Sequence, residues 1–227
     1  MRVHVAFTPA EAAAAPLGIV VDVMRATSTI AQALASGYRR VLCCSEIDEA
    51  RRLRAELGDE AITGGEREAQ MIEGFDAGAS PREFQEPRAE TLILSTTNGT
   101  RAVVAAAASC GEVVLGSLLN LDAVAAHARA RGEDIVVLCA GYKDAFAIDD
   151  AYCAGRIVAL LDGDPSDAAK ASEVIAARFP NAIDGINART YGPPGLKEDI
   201  AWCSQVSVLN VVPRLSRMLE RAAEVTL

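Results

Sequence analysis

Five acidic residues and two arginines stand where this chain changes direction. Asp22 and Arg25 close the apolar run GIVVDV, Glu66 and Arg67 end GGER, Asp76 sits in GFDAG, and Asp149 and Asp150 follow VVLCAG with its terminal Gly141. Carboxylates on separate segments, with no organised thiolates beside them, suit a hard ion such as Mg2+, which takes one or two protein carboxylates and completes its shell with substrate oxygens. Arg25 and Arg67 offer forked donors for phosphate, sulfonate or carboxylate. Residues 94–100 read LSTTNGT, so Ser95, Thr96, Thr97, Asn98, Gly99 and Thr100 crowd one turn between an apolar run and the helical RAVVAAAAS. Such residues cap helices. They also make an anion seat, because first-turn amides and the helix dipole converge there. Thr27 and Ser28 hold the corresponding place after Asp22. Each residue has a plainer reading: Asp22 as a cap, Arg25 as its partner, Asp149 and Asp150 as favourable charges at a helix start. Together they point to a site for a small polyanion.

Familiar phosphate machinery is missing. No GxxxxGK[ST] loop occurs, and no GxGxxG follows a strand, so a nucleotide is not favoured. A cysteine phosphatase needs an arginine six residues after its nucleophile, yet six after Cys139 stands Ala145, and no histidine is near to activate the thiol. His4 and His127 are the only histidines, and His127 lies mid-helix in VAAHARA as surface or core filler. A haloacid dehalogenase-type aspartyl nucleophile expects a second Asp two residues after the first, where this chain has Met24. Water activated at a metal is the favoured nucleophile.

Composition limits the partners. The chain has 227 residues, 51% of them hydrophobic, which is enough for a full core. Lys and Arg number 22 against 31 Asp and Glu, a net charge of −9 with no basic run, which argues against nucleic acid. MRVHVAFTPAEAAAAPLG lacks the order of a signal peptide, and no apolar run reaches the roughly 18 residues of a membrane span. A cytoplasmic protein is expected. Cys43, Cys44, Cys110, Cys139, Cys153 and Cys203 form no CxxC pair and mostly lie in apolar runs, as reduced core thiols do.

The elements that must position these residues alternate. LGIVVDV is a strand and RATSTIAQALASGY a helix, with Thr27 or Ser28 as cap and Gly37 as stop; RVLCC and SEIDEARRLRAEL repeat the unit. AITGGE is a short strand. TLILS, EVVLGS and DIVVLCAG are further strands, each followed by a helix. This predicts an α/β fold with a largely parallel or mixed sheet flanked by helices, as one unit over 1–227 or two intimately packed subdomains with the site between them. Ligands bind such sheets at the carboxyl ends of the strands, where all three polar clusters fall. Residues 65–90 keep no period, as functional loops do. From Pro165, PSDAAKASEVIAARF is helical, NARTYGPPGLKED is rich in Gly and Pro, and VSVLNVVPRLS is expected to return as an edge strand.

VDVMRATSTI, GGER, GFDAGASP, STTNGT, GSLLN and CAGYKDAFAIDDAYCAG, in this order and spacing, resemble the 2-phosphosulfolactate phosphatase family of coenzyme M biosynthesis. The resemblance spans roughly 17–160, with an echo in LKEDIAWC and NVVPRL. It implies an α/β fold of the family's own and a Mg2+-dependent phosphatase that releases phosphate from the 2-position of 3-sulfolactate. Ala79 stands where the family usually has Asn, Asp149 where it often has Glu, and Asp144 where Gly is common, and the first departure bears on the substrate.

The resulting expectation names Asp22, Arg25 and Asn98 as catalytic. Arg25, Thr27, Ser28, Arg67, residues 95–100 and Gly141 would bind substrate, with Mg2+ on some of Asp22, Glu66, Asp76, Asp149 and Asp150. A homo-oligomer is compatible with the sequence. Two other classes use similar residues: a small organic-anion binding protein, and a metal-dependent lyase or isomerase of a phospho-acid. Clustered carboxylates repel an anion unless a cation intervenes, which favours the enzyme.

Overall fold

The computed structural model describes residues 1–11, 13–190, 196–220 and 222–227. These form eleven strands and eight α-helices. The alternating units appear as β2 (Ala15–Val21), α1 (Ala26–Ser36), β3 (Arg40–Cys44), α2 (Ile47–Leu57) and β4 (Ala61–Arg67). After a two-residue strand, β5 (Gln70–Met71), come β6 (Thr91–Ser95), α3 (Gly99–Ser109), β7 (Cys110–Gly116), α4 (Leu121–Arg131), β8 (Ile135–Cys139) and α5 (Ile148–Val158). β1 (Arg2–Ala6) precedes them. β9 (Asp164–Pro165), α6 (Asp167–Arg178), α7 (Ala182–Asn187), α8 (Lys197–Cys203), β10 (Arg214–Met218) and β11 (Ala222–Thr226) follow.

The sheet order is β5-β4-β6-β3-β11-β10-β7-β2-β8-β1-β9. Strands β7, β2, β8, β1 and β9 are mutually parallel, and so are β3, β6 and β4. The C-terminal hairpin β10/β11 joins these blocks, antiparallel to β7 on one side and to β3 on the other. Three antiparallel steps in succession give the two blocks opposite strand senses, so the sheet is mixed. Helices α1 and α3 share one apolar cluster with both blocks: Ile30, Leu34, Ala102 and Val103 pack among Val20, Leu138, Val41 and Leu94. The opposite face of the first block buries Tyr152, Ile157 and Ile186 from α5 and α7.

Three expectations need correction. VSVLNVVPRLS does not form an edge strand: 206–213 has no strand structure, and β10, which begins at Arg214, lies inside the sheet between β7 and β11. Residues 65–90 are not one irregular loop. Glu66 and Arg67 belong to β4, and a short 3-10 turn, Pro81–Phe84, carries a capping box between Ser80 and Glu83. Buried Ile72, Phe75 and Phe84 tie the rest to the core. Within NARTYGPPGLKED, residues 191–195 lie outside the described residues. Gly37 does stop α1, with a left-handed φ of 114°, but neither Thr27 nor Ser28 occupies the cap position, which falls at Arg25.

Gly155 sets the distance between α5 and α6. A Cβ there would stand 2.0 Å from the Ser172 carbonyl oxygen. Gly155→Ala should therefore cost about 1–3 kcal/mol by overpacking, read as a lower denaturation midpoint with an unchanged m-value. Unaltered stability would show that these helices part freely.

Candidate active site

β2 ends at Val21, and the next residue, Asp22, is buried. Its Oδ1 accepts from the Ala26 amide at 3.3 Å, satisfying one of the first-turn amides of α1 that have no intrahelical partner. Thr27 and Ser28 brace this corner rather than face a ligand. The Thr27 hydroxyl donates to the Asp22 carbonyl at 2.9 Å and the Ser28 hydroxyl to the Val23 carbonyl at 2.9 Å.

The STTNGT turn is brought against Asp22 by the absence of a side chain. At Gly99, the first residue of α3, a Cβ would lie 2.4 Å from Asp22 Oδ2 and 2.3 Å from Ala26 Cβ. Gly65 does the same between β4 and β6, where a Cβ would stand 2.3 Å from the Ser95 carbonyl oxygen. Glu66 then reaches across: its Oε1 accepts from the Thr97 amide at 2.8 Å and its Oε2 from the Ala69 amide at 2.7 Å. Thr96 and Thr100 bond each other, with the Thr100 amide donating to Thr96 Oγ1 at 3.2 Å. Asn98 occupies the cap position of α3, yet its side chain makes no cap hydrogen bond. Instead Asn98 Oδ1 accepts from the Lys143 amide at 3.2 Å. Thr97 Oγ1 is buried with no hydrogen-bond partner.

The end of β8 supplies a third wall. Asp150 ties it to β2, accepting from the Val23 amide at 2.9 Å through Oδ1 and from the Gly141 amide at 3.0 Å through Oδ2. Gly141 has a left-handed φ of 67°, and a Cβ there would lie 2.5 Å from the Ala145 carbonyl oxygen. Lys143 extends beyond this tight turn to Glu68, Nζ to Oε1 3.1 Å.

The resulting cleft is lined by Asp22, Arg25, Glu66, Thr96, Thr97 and Asn98, and also by Met24, Glu68, Ala69, Ala79, Tyr142, Lys143, Arg189 and Leu196. The remaining expected residues lie elsewhere. Ser95 is buried behind the turn and accepts from Arg67 Nη2 at 3.0 Å. Arg67 also donates to the carbonyls of Glu66 and Ser45, so its guanidinium is spent on holding strand ends together. Asp76 turns its Oδ2 to the Thr63 amide and hydroxyl, at 2.7 and 2.8 Å, in a separate depression beside Arg54. Asp149, Asp150, Thr100, Gly99 and Gly141 sit behind the lining.

Sequence reasoning missed Asp199. This buried residue of α8 accepts from Arg25 Nη1 at 2.5 Å and from the Ser80 hydroxyl at 2.6 Å. It fixes Arg25, whose charge acts on the Asp22 carboxyl. Its only signal was the motif echo LKEDIAWC. Lys143, Glu68 and Arg189 were missed as well: Lys143 lies in CAGYKDAFAIDDAYCAG, Glu68 in the aperiodic stretch 65–90 and Arg189 in the Gly- and Pro-rich NARTYGPPGLKED.

Burial pushes the Asp22 carboxyl up to about 7, and the nearby charges of Glu66 and Asp149 push the same way, against the Ala26 amide and Arg25. Asp150 is raised by burial and by Asp149 and Asp22. Burial also holds the Cys139 thiol well above its ordinary value, which makes it a poor nucleophile. All six cysteines are free. Among the described residues no three Asp, Glu, His or Cys side chains converge as a ready-made metal cluster. Two carboxylates, Asp22 and Glu66, do face one cleft in mutual repulsion, a donor pair that could hold a hard ion such as Mg2+, whose other positions would go to substrate oxygens and water.

The 2-phosphosulpholactate phosphatase family profile matches residues 5–218. A probable 2-phosphosulfolactate phosphatase of Caldanaerobacter subterraneus is 37% identical over 218 residues, covering 91% of this chain and 90% of its own. A 2-phosphosulfolactate phosphatase of Methanothermobacter thermautotrophicus is 34% identical over 218 residues, covering 94% and 92%.

Two outcomes test this geometry. Asp22 has a folded pKa raised above its unfolded value of 3.8, so the native state keeps a proton that the unfolded chain releases. In chelator, stability should fall as pH rises from about 4 to about 7, with a slope approaching about 1.4 kcal/mol per pH unit. Asp22→Asn should flatten that stretch of the urea-midpoint profile, and an unchanged slope would count against a buried, repelled carboxyl. Because Asn98 caps nothing with its side chain, Asn98→Ala should leave the melting temperature within a few degrees while lowering turnover about 10²-fold, the scale of one preorganised donor. A large stability loss with turnover intact would reduce the turn to a helix cap.

Proposed function

The chain belongs to the 2-phosphosulpholactate phosphatase family, and from this premise we propose that it hydrolyses the phosphate ester of a small 2-phospho acid, foremost 2-phosphosulfolactate, to 3-sulfolactate and phosphate. The observation that carries the reading to the atoms is Thr97 Oγ1, a buried hydroxyl without a partner on the cleft wall. Leaving such a group unsatisfied costs about 1–3 kcal/mol, a cost relieved when a ligand oxygen accepts its proton.

A phosphoryl group seated here meets Thr97 Oγ1, the first amides of α3 and the Arg25 guanidinium. Those amides have no intrahelical acceptor and lie at the positive end of the helix dipole. Asp199 holds Arg25 so that its fork is preorganised, and phosphoryl transfer asks mainly for such positioning and charge stabilisation. Asp22 and Glu66 would hold Mg2+, which supplies neutralisation of the phosphoryl oxygens and of the repulsion between substrate and carboxylates. In the reaction the water oxygen bonds to phosphorus and the bond from phosphorus to the C2 oxygen breaks. A proton from the water ends on that C2 oxygen.

The two parallel blocks are read as subdomains with the cleft between their strand ends. The reading places the reaction in coenzyme M biosynthesis, in keeping with the family, and in the cytoplasm, in keeping with six unpaired thiols. Among the described residues no helix is long and apolar enough to cross a membrane.

Purified protein given 2-phosphosulfolactate should release phosphate and 3-sulfolactate in equal amounts. Activity should disappear in EDTA and return with Mg2+. Binding without turnover would favour the anion-binding alternative, an unequal product ratio a lyase or isomerase, and full activity in EDTA would remove the metal from the mechanism.

A further inference from the structure

Three cations line the cleft: Arg25, Lys143 and Arg189. Two already have counter-ions. Arg25 is paired with Asp199 at 2.5 Å, and Lys143 with Glu68 at 3.1 Å. Arg189, half-buried in the segment after α7, has neither an ion pair nor a side-chain hydrogen bond among the described residues. A guanidinium drawn partly out of water, with no acceptor among the described residues for its five donors, is poised for an external anion.

The phosphoryl end of the substrate does not fill that role. Thr97, Arg25 and the first turn of α3 lie with Asp22 and Glu66, whereas Arg189 enters from the connection between α7 and α8, whose other described residue in the lining is Leu196. A 2-phospho acid carries a second charge, a carboxylate or sulfonate, on carbons next to the phosphorylated one. We infer that Arg189 binds this acid end and sets the preference of the cleft for phospho-acids over simple phosphate esters. A planar fork matches either oxyanion, and an ammonium does not reproduce it. The inference rests on the phosphatase reading for its substrate class, but the assignment of Arg189 to the non-phosphate acid is separate from it.

The test compares wild type, Arg189→Met and Arg189→Lys with 2-phosphosulfolactate, with 2-phospholactate, which lacks the sulfonate, and with inorganic phosphate as competitive inhibitor. Arg189→Met should lower kcat/KM on the phospho-acids roughly tenfold to a hundredfold, the range of one charge-assisted hydrogen bond. Arg189→Lys should recover part of it, and inhibition by inorganic phosphate should stay within about twofold of wild type. A loss on 2-phosphosulfolactate alone assigns the fork to the sulfonate, and an equal loss on both assigns it to the carboxylate. Unchanged kcat/KM, or phosphate inhibition weakened in parallel, overturns the inference. If wild type hydrolyses neither compound, the phosphatase reading falls. Calorimetry with 3-sulfolactate then decides separately: binding by wild type that Arg189→Met loses sustains the role of Arg189, and equal binding by both, or none by wild type, overturns it.

Discussion

A carboxylate kept out of water beside other carboxylates is the constraint around which this molecule is arranged. Asp22 is buried, repelled by Glu66 and Asp149, and stabilised mainly by one helix amide and by Arg25. Ionising it costs free energy that apolar packing cannot return. The fold brings to that point what offsets the cost: the start of α1, an arginine held by its own buried partner, and two glycines that let strand ends approach within contact. Asp150, its two oxygens accepting from the Val23 and Gly141 amides, ties the ends of β2 and β8 together behind the lining.

The C-terminal hairpin makes this convergence possible. Without β10 and β11 the chain would offer two small parallel sheets, one ending in Asp22 and the Gly141 turn, the other in Glu66 and the STTNGT turn. With the hairpin between them, hydrogen bonding is continuous from β5 to β9, and α1 and α3 bury their apolar sides against both blocks at once. The helix that begins with Gly99 is thereby held on Asp22, although the two residues come from strands in different blocks.

Much of this was legible from the residues. Periods of two and 3.6, Gly37 as a stop, and apolar runs such as TLILS and VVLC fix β2, β3, β4, β6, β7 and β8 and α1 to α5, because these segments are long and are buried on both faces or one. Strands β1 and β11 were not legible. RVHVA alternates polar residues with three short aliphatic ones, and AAEVT is two small residues and a charge; each becomes a strand only because a neighbour, β8 or β3, supplies its ladder. Asp199 was hidden for a related reason. Nothing local in LKEDIAWC marks one acid among two as buried, and only the tertiary approach of Arg25 and Ser80 does.

Hydroxyl-rich turns show why residue type alone cannot separate scaffold from site. Thr27 and Ser28 follow Asp22, while Thr96, Thr97 and Thr100 follow β6, and both sets have the composition of a helix start. In the first set each hydroxyl is consumed by a backbone carbonyl of the preceding corner. In the second, Thr96 and Thr100 consume each other, which satisfies the amide that a capping Asn98 would have taken. That exchange releases Asn98 to reach the Lys143 turn and leaves Thr97 Oγ1 buried and unmatched. A cap that is internally satisfied gains nothing from a third threonine, so the surplus hydroxyl of Thr97 is the feature on which the proposed phosphoryl seat rests.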